Sequence, residues 1–293
     1  MNIKEILDRT TGFFREKKMD SPRLDAELLL SHGLGLNRID LYLKFEQPLK
    51  EEELQKLRTL VKRRAQGEPV AYILGEKDFF GETFIVNQAV LIPRPETEGL
   101  VETALNWQKK NKKTNLRILD LGCGSGCIGL SLLKKIPDAQ LLAVDVSEEA
   151  LQIAKKNADN LEVSDRVSWL CADAFDFSNV KTKIDNIFTE PIDLLVANPP
   201  YIDKKDLEVE VNVKMYEPNG ALFSDENGTK HLKSWSTNYA TLLAAESLML
   251  MEMGYLQGAE LKKHFIEIGK FDTVEVDKDL AGKDRIIRGE CHG

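Results

Sequence analysis

Apolar positions recur at two different periods along this chain, and the change of period divides it. Ile3, Ile6, Leu7 and Thr10 fall at helical spacing, and Leu54, Leu57, Leu60 and Val61 form another such stripe. Between them, Ser21-Pro22 reads as a capping residue with proline at the first helical position, opening Leu24, Leu28 and Leu29. These stripes predict a small helical domain over 1–75. The pattern then shortens to β-like pieces, Phe79-Phe80, Thr83-Phe84-Ile85-Val86 and Val90-Leu91-Ile92, separated by Gly81 and Asn87, which predicts a β-hairpin linker over 76–95. In Pro93-Arg94-Pro95-Glu96-Thr97-Glu98, two prolines fix the backbone and the acidic residues open a helix through Val101, Leu105 and Trp107. From there on, strand-like runs at 116–121, 140–145, 167–171 and 192–197 alternate with helical patterns that begin near Ile128 and Glu148. That alternation predicts an α/β fold with a mainly parallel, doubly wound, Rossmann-like sheet over 96–293. Ligands of such sheets bind beyond the carboxyl ends of the strands.

Composition narrows the function. The chain has 293 residues, 42% hydrophobic and 30% charged, as in water-soluble globular proteins, and apolar runs such as Leu248-Met249-Leu250-Met251 are too short to cross a bilayer. Its first residues lack the basic and apolar regions of a secretory signal, so a cytoplasmic location is expected. Cys123, Cys127, Cys171 and Cys291 are sparse, which suits reduced thiols; Cys123 and Cys127 sit in a glycine-rich turn with no second ligand pair, so no metal is expected. The net charge of -8 is uneven: positions 1–70 hold 14 Lys and Arg against 12 Asp and Glu, and the excess of acid lies beyond them. Such a body repels phosphate backbones, which opposes stable nucleic-acid binding and favours a protein or small-molecule substrate. The run Lys62-Arg63-Arg64 reads as a solvated helix end.

Candidate chemistry falls at the strand tips. After the first strand of the α/β region comes Gly122-Cys123-Gly124-Ser125-Gly126, where glycines let the backbone turn tightly and approach a ligand ahead of a helix N-terminus. A nucleotide-like cofactor is implied, and the string from Gly124 to Gly129 keeps a dinucleotide dehydrogenase in view. The next strand ends in Asp145, placed either to accept from both hydroxyls of a ribose or to cap the helix at Ser147. The third reaches Asp173-Ala174-Phe175, where Asp173 either accepts from an adenine amine or closes an Asx turn. The fourth ends in Asn198-Pro199-Pro200-Tyr201. The prolines rigidify a turn that cannot continue the ladder, so Asn198 and Tyr201 are held at the tip. An amide or arylamine nitrogen is a poor nucleophile because its lone pair is delocalised. Two acceptors, the Asn198 side-chain oxygen and the Pro199 carbonyl, can hold both its N–H bonds and aim that lone pair, while Tyr201 offers a face for a planar group. Hydride transfer has no use for such a turn.

These motifs resemble the S-adenosylmethionine-dependent methyltransferases and, among them, the release factor glutamine methyltransferases of the HemK/PrmC type. The likeness rests on the helical N-terminal region, Pro93-Arg94-Pro95-Glu96-Thr97-Glu98, Asp120-Leu121-Gly122-Cys123-Gly124-Ser125-Gly126, Asn198-Pro199-Pro200-Tyr201, Glu217-Pro218 with Ala221-Leu222, and the segment from Asp279 to Arg285. The resemblance implies methyl transfer from S-adenosyl-L-methionine to the glutamine amide in the Gly-Gly-Gln loop of class I peptide chain release factors. By the same match, Gly122, Cys123, Gly124, Ser125 and Gly126 with Asp145, Asp173, Ala174 and Asn198 hold the cofactor. Asn198, Pro199, Pro200, Tyr201 and Arg94 meet the substrate, with Asn198, Pro199 and Tyr201 catalytic, and Glu96 to Glu98 line the entrance. The helical domain grips the release factor away from the chemistry. Asn-Pro-Pro-Tyr also resembles nucleic-acid amino methyltransferases, the alternative reading, and a non-catalytic cofactor-binding protein would need an altered loop or Asn198. Three departures stand out: Ala174 replaces a large aromatic residue frequent in relatives, Cys123 stands in place of a hydroxyl residue, and before the late strand, where relatives have a Pro-Gly-Gly turn, the chain reads Leu243-Ala244-Ala245-Glu246-Ser247, so a continuing helix is expected in place of that turn.

Overall fold

The computed structural model describes residues 1–206 and 211–293, and the chain divides into two compact units, Met1–Glu76 with Val211–Tyr216 and Lys77–Glu210 with Glu217–Gly293. The first unit is built from α1 (Ile3–Glu16), α2 (Pro22–Leu34), α3 (Arg38–Leu43), α4 (Glu51–Ala65) and α5 (Val70–Leu74). A capping box starts α1: Asn2 Oδ1 accepts from Glu5 N at 2.9 Å and Glu5 answers from its carboxylate. Ser21 occupies the N-cap of α2 without a side-chain bond, leaving Pro22 to set the first turn. Ile3, Leu7, Phe14, Leu29, Leu30, Leu41 and Leu57 meet in one core, and Gly33 lets α4 come close, since a Cβ there would lie 2.5 Å from a Leu57 methyl. The basic run at the end of α4 is more than a solvated helix end. Arg63 pairs with Glu68 at 2.5 Å, and Arg64 reaches back to the buried Asp25 of α2 at 2.7 Å.

In the second unit β1 (Glu76–Phe79) and β2 (Glu82–Ile85) pair around Phe80 and Gly81, both at positive φ as a tight hairpin turn requires. The third β-like piece, Val90 to Ile92, is not a strand. Its Ile92 N–H donates to the Glu217 carboxylate at 3.2 Å instead of to a neighbouring strand. After α6 (Glu98–Asn111) come β3 (Arg117–Leu121), α7 (Cys127–Lys135), β4 (Gln140–Asp145), α8 (Glu148–Asn160), β5 (Val167–Cys171), α9 (Phe177–Ile187) and β6 (Ile192–Ala197). A short pair, β7 (Ile202–Asp203) and β8 (Phe223–Ser224), brackets in sequence α10 (Val211–Tyr216), which belongs to the first unit, and the helical turn α11 (Asn219–Leu222). The chain then runs through α12 (Lys230–Tyr239), β9 (Leu243–Glu252), α13 (Gly258–Ile268), β10 (Thr273–Lys278) and β11 (Asp284–His292).

Among the described residues these strands form a seven-stranded sheet in the order β10-β11-β9-β6-β3-β4-β5. β3, β4, β5, β6 and β9 run parallel, and β11 lies between β9 and β10, antiparallel to both. Alternate side chains go to opposite cores, Ile118, Val196 and Leu250 to one and Leu119, Leu195 and Met249 to the other. Both faces are therefore covered, which is why the strands read as continuous apolar runs. The stretch expected to continue as a helix in place of a turn, Leu243 to Ser247, is instead the start of β9. Its Ala, Leu, Met and Glu residues favour helix locally, but its place between β6 and β11 buries Leu248 to Glu252 and supplies ladder partners on both edges. Among the described residues no helix is long and apolar enough to cross a membrane.

Candidate active site

Strand register aligns the motifs. Leu121 pairs with Val144 and with Ala197, Asp145 pairs with Cys171, and Ala197 pairs with Met251. The residues just beyond these positions therefore share one edge of the sheet. The chain leaves β3 toward β4 and β5 on one side and returns to β6 on the other, so the crevice opens between the tips of β3 and β6. A cavity of about 430 Å³ lies there, of the size that buries a small-molecule cofactor.

The glycine loop forms its floor. Gly122, Gly124 and Gly126 have φ of 69°, 54° and 79°, and a Cβ on Gly122 would sit 3.3 Å from the Trp235 ring. Gly124 faces open space, with nothing within 4 Å of where its Cβ would stand, and its N–H donates to Asp145 Oδ2 at 2.8 Å. The other Asp145 oxygen accepts from Ser147 N at 2.9 Å. The α8 N-cap itself is Ser147, whose hydroxyl accepts from Ala150 N at 3.1 Å. Asp145 thus ties the loop to the β4 tip while its carboxylate borders the cavity. Burial pushes its pKa up, against the bonds from Ser147, Gly124 and Val146. Cys123 and Cys127 are buried thiols with raised pKa values, Cys127 at about 12, chiefly through desolvation, so both stay neutral.

At the β5 tip, Asp173 Oδ1 accepts from Phe175 N at 2.9 Å, an Asx turn that still leaves the carboxylate on the cavity wall. Ala174 is buried and its carbonyl accepts from Tyr239 Oη at 3.0 Å. The aromatic surface comes from elsewhere. Phe175 packs on His231 with centroids 4.7 Å apart, and His231 on Trp235 at 5.6 Å, all three lining the cavity. His231 and Trp235 escaped the sequence reading; their signal was the spacing of four that puts both on one face of α12.

At the β6 tip, Asn198 lines the cavity and its Nδ2 donates to Thr97 Oγ1 at 3.3 Å. Pro200 also lines it, whereas Pro199, Tyr201 and Gly126 do not. Tyr201 turns inward: its hydroxyl donates to Glu252 Oε1 at 2.9 Å, and its pKa is raised, first by burial and then by the Glu252 charge. Arg94 borders the cavity, but its Nη2 donates to Glu217 Oε1 at 2.5 Å. The same Glu217 carboxylate holds Ile92 N, so it staples the Arg94 segment to the wall. Glu217 and Glu252 were given no functional role from sequence, and Thr97 only a place in the 96–98 entrance stretch, because their partners lie 51 to 125 residues away.

A mainly parallel sheet with an open glycine turn and an acidic strand tip facing an Asn-Pro-Pro-Tyr turn defines an S-adenosylmethionine-dependent methyltransferase. Comparison agrees. A methyltransferase domain model matches residues 112–274 and a PrmC N-terminal domain model residues 5–75. A methyltransferase structure from Agrobacterium tumefaciens shares the fold, with a TM-score of 0.50 at 16% identity over 74% of this chain and 70% of that one. The release factor glutamine methyltransferase of Rhodopirellula baltica is 38% identical and that of Chlorobaculum tepidum 39%, each alignment covering 97% of this chain and 95% of the relative. The chain belongs to the release factor glutamine methyltransferase family.

Proposed function

We propose that this enzyme methylates the side-chain amide nitrogen of the glutamine in the Gly-Gly-Gln loop of class I peptide chain release factors in the cytoplasm, with Asn198 holding the amide. The observation that carries the reading is the placement of Asn198. It sits at the β6 tip on the cavity wall, with its NH₂ end engaged by Thr97, so its oxygen is the end available to a substrate amide.

The residues present fit S-adenosylmethionine. The open face of Gly124 admits a ligand against backbone, the Asp145 carboxylate suits ribose hydroxyls, and Asp173 with Phe175, His231 and Trp235 suits an adenine ring. When bound, this cofactor supplies an electrophilic methyl group on a sulfonium. The chain's own part is to orient. Asn198 Oδ1 and the Pro199 carbonyl accept the two N–H bonds of the glutamine amide and direct its lone pair. The Arg94 segment, stapled by Glu217, walls the cavity from water. The N-methylated amide is acidic enough to lose its extra proton to solvent, and no general base is assigned. The helical unit is assigned to holding the release factor away from the chemistry.

The test is transfer of labelled methyl from S-adenosylmethionine to a purified class I release factor, beside a Gly-Gly-Glu variant of that factor and bulk RNA and DNA. Label on the Gly-Gly-Gln factor alone is expected; label on nucleic acid instead would overturn the reading. Asn198→Ala is expected to keep cofactor affinity while transfer falls by about two orders of magnitude or more. Full activity in that variant would remove Asn198 from the mechanism.

A further inference from the structure

The two most exposed large apolar side chains among the described residues lie in neighbouring loops beside the Asn-Pro-Pro-Tyr turn. Leu280 is fully exposed and Leu256 is 82% exposed, with Tyr255 at 46%. Single exposed apolar residues are ordinary, but three in two touching loops call for a reason. Tyr255 and Leu256 sit between β9 and α13, and Leu280 at the turn between β10 and β11. Met253 N donates to Arg285 O at 2.8 Å, and the Lys283 ammonium stands 4.9 Å from the centre of the Tyr255 ring, so the loops form one surface. The first loop is also tied to the reactive turn. Gln257 Nε2 donates to Tyr201 O at 2.9 Å and to Asn227 O at 3.1 Å, and its Oε1 accepts from Gly254 N at 2.9 Å.

The second loop is fixed as well. The Asp279 carboxylate accepts from Ala281 N and Lys283 N at 3.0 Å each and from Arg285 Nη2 at 3.1 Å, so the turn that holds Leu280 in water is ordered before any partner arrives. Sheet order gives the ridge its direction. The residues suited to the cofactor stand at the tips of β3, β4 and β5 and Asn198 at the tip of β6, which leaves the β9 side of β6 to the methyl acceptor. On that side the end of β9 and the start of β11 share the edge, and they carry the two loops. We propose that Tyr255, Leu256 and Leu280 form a docking ridge for the release factor, meeting an apolar patch on the domain whose Gly-Gly-Gln loop enters the cavity. A glutamine on a protein loop brings the surface around it over these strand tips. Leucines held in water gain from burial against apolar protein surface and gain little from a phosphate backbone. Lys278 and Lys283 beside them are exposed, as at the polar rim of a protein interface.

This inference rests on the release factor being the substrate, and the experiment separates the two. Methyl transfer to the factor, and the affinity of the S-adenosylhomocysteine-loaded enzyme for it, are measured for the wild type, Leu256→Ser, Leu280→Ser, the double variant and Ile266→Ser. Ile266 is 59% exposed but lies near the far end of α13, so it controls for the loss of any exposed apolar side chain. The double variant is expected to raise KM and Kd for the factor about tenfold or more, each single variant less, with kcat and S-adenosylhomocysteine affinity within about twofold of wild type. Ile266→Ser is expected to match the wild type. All three positions face water, so the variants are expected to fold. Wild-type KM and Kd in the double variant, a loss confined to kcat, or an equal loss in Ile266→Ser would each overturn the proposal. So would sedimentation in which the wild type dimerises and the double variant does not, since the ridge would then belong to a second copy of this chain. A wild type that labels the factor while the ridge variants match it sinks this inference and leaves the proposed function standing; a wild type that neither binds nor labels the factor sinks both.

Discussion

At the scale of single residues, the unusual group is Asp120. It is fully buried at the end of β3, its Oδ2 accepts from Gly129 N at 3.0 Å, and its Oδ1 has no partner. Desolvation pushes its pKa up to about 7, with the neighbouring Asp145 charge adding to the rise. The folded protein thus holds this proton more tightly than the unfolded chain. Its contribution to stability is full below about pH 4 and is lost as pH rises through about 7. Asp120→Asn does not ionise, so its stability relative to wild type is expected to rise by roughly 2–3 kcal/mol between pH 5 and pH 8. Urea melts of both proteins at the two pH values measure this difference directly, and a difference that stays constant with pH would contradict the assignment.

At the scale of elements, the segment that walls the cavity is held by one carboxylate rather than by a sheet. Replacing Glu217 by Ala frees Ile92 N and the Arg94 guanidinium together. KM for cofactor and factor is expected to rise several-fold with a smaller change in kcat, and amide exchange over 90–97 is expected to accelerate. Unchanged exchange there would show that the prolines alone hold the segment. The same segment marks where sequence reading fails. Val90 and Ile92 alternate like a strand, yet the partner of Ile92 N is a side chain 125 residues away, which no local pattern announces. The start of β9 fails for the opposite reason: its helix-forming residues are overruled by two ladder neighbours. The glycine loop, Asp145 and Asn198 were readable because each lies in a short run whose residue types carry their own chemistry. Thr97 and Glu252 gain their meaning only when register brings β6 and β9 side by side.

At the scale of the molecule, the helical unit and the α/β unit have separate hydrophobic cores. Leu57, 2% exposed between α2 and α4, belongs to the first. Leu57→Ala is expected to cost that unit about 2–5 kcal/mol. Hydrogen exchange read by mass spectrometry is expected to quicken over Met1–Glu76 while β3 and β6 keep their protection, and a uniform quickening would show one cooperative unit instead. Sheet order has a further consequence for the α/β unit. The strand that braces the reactive turn ends at Glu252, and its outer neighbour is β11, at 284–292. A nascent chain that has reached only β6 already carries the glycine loop and Asn198, but neither the carboxylate beneath them nor the strand beside it. Competence is a late event in this protein's own synthesis, so chains cut short by a premature stop would leave the ribosome with a cofactor loop and an unbraced turn.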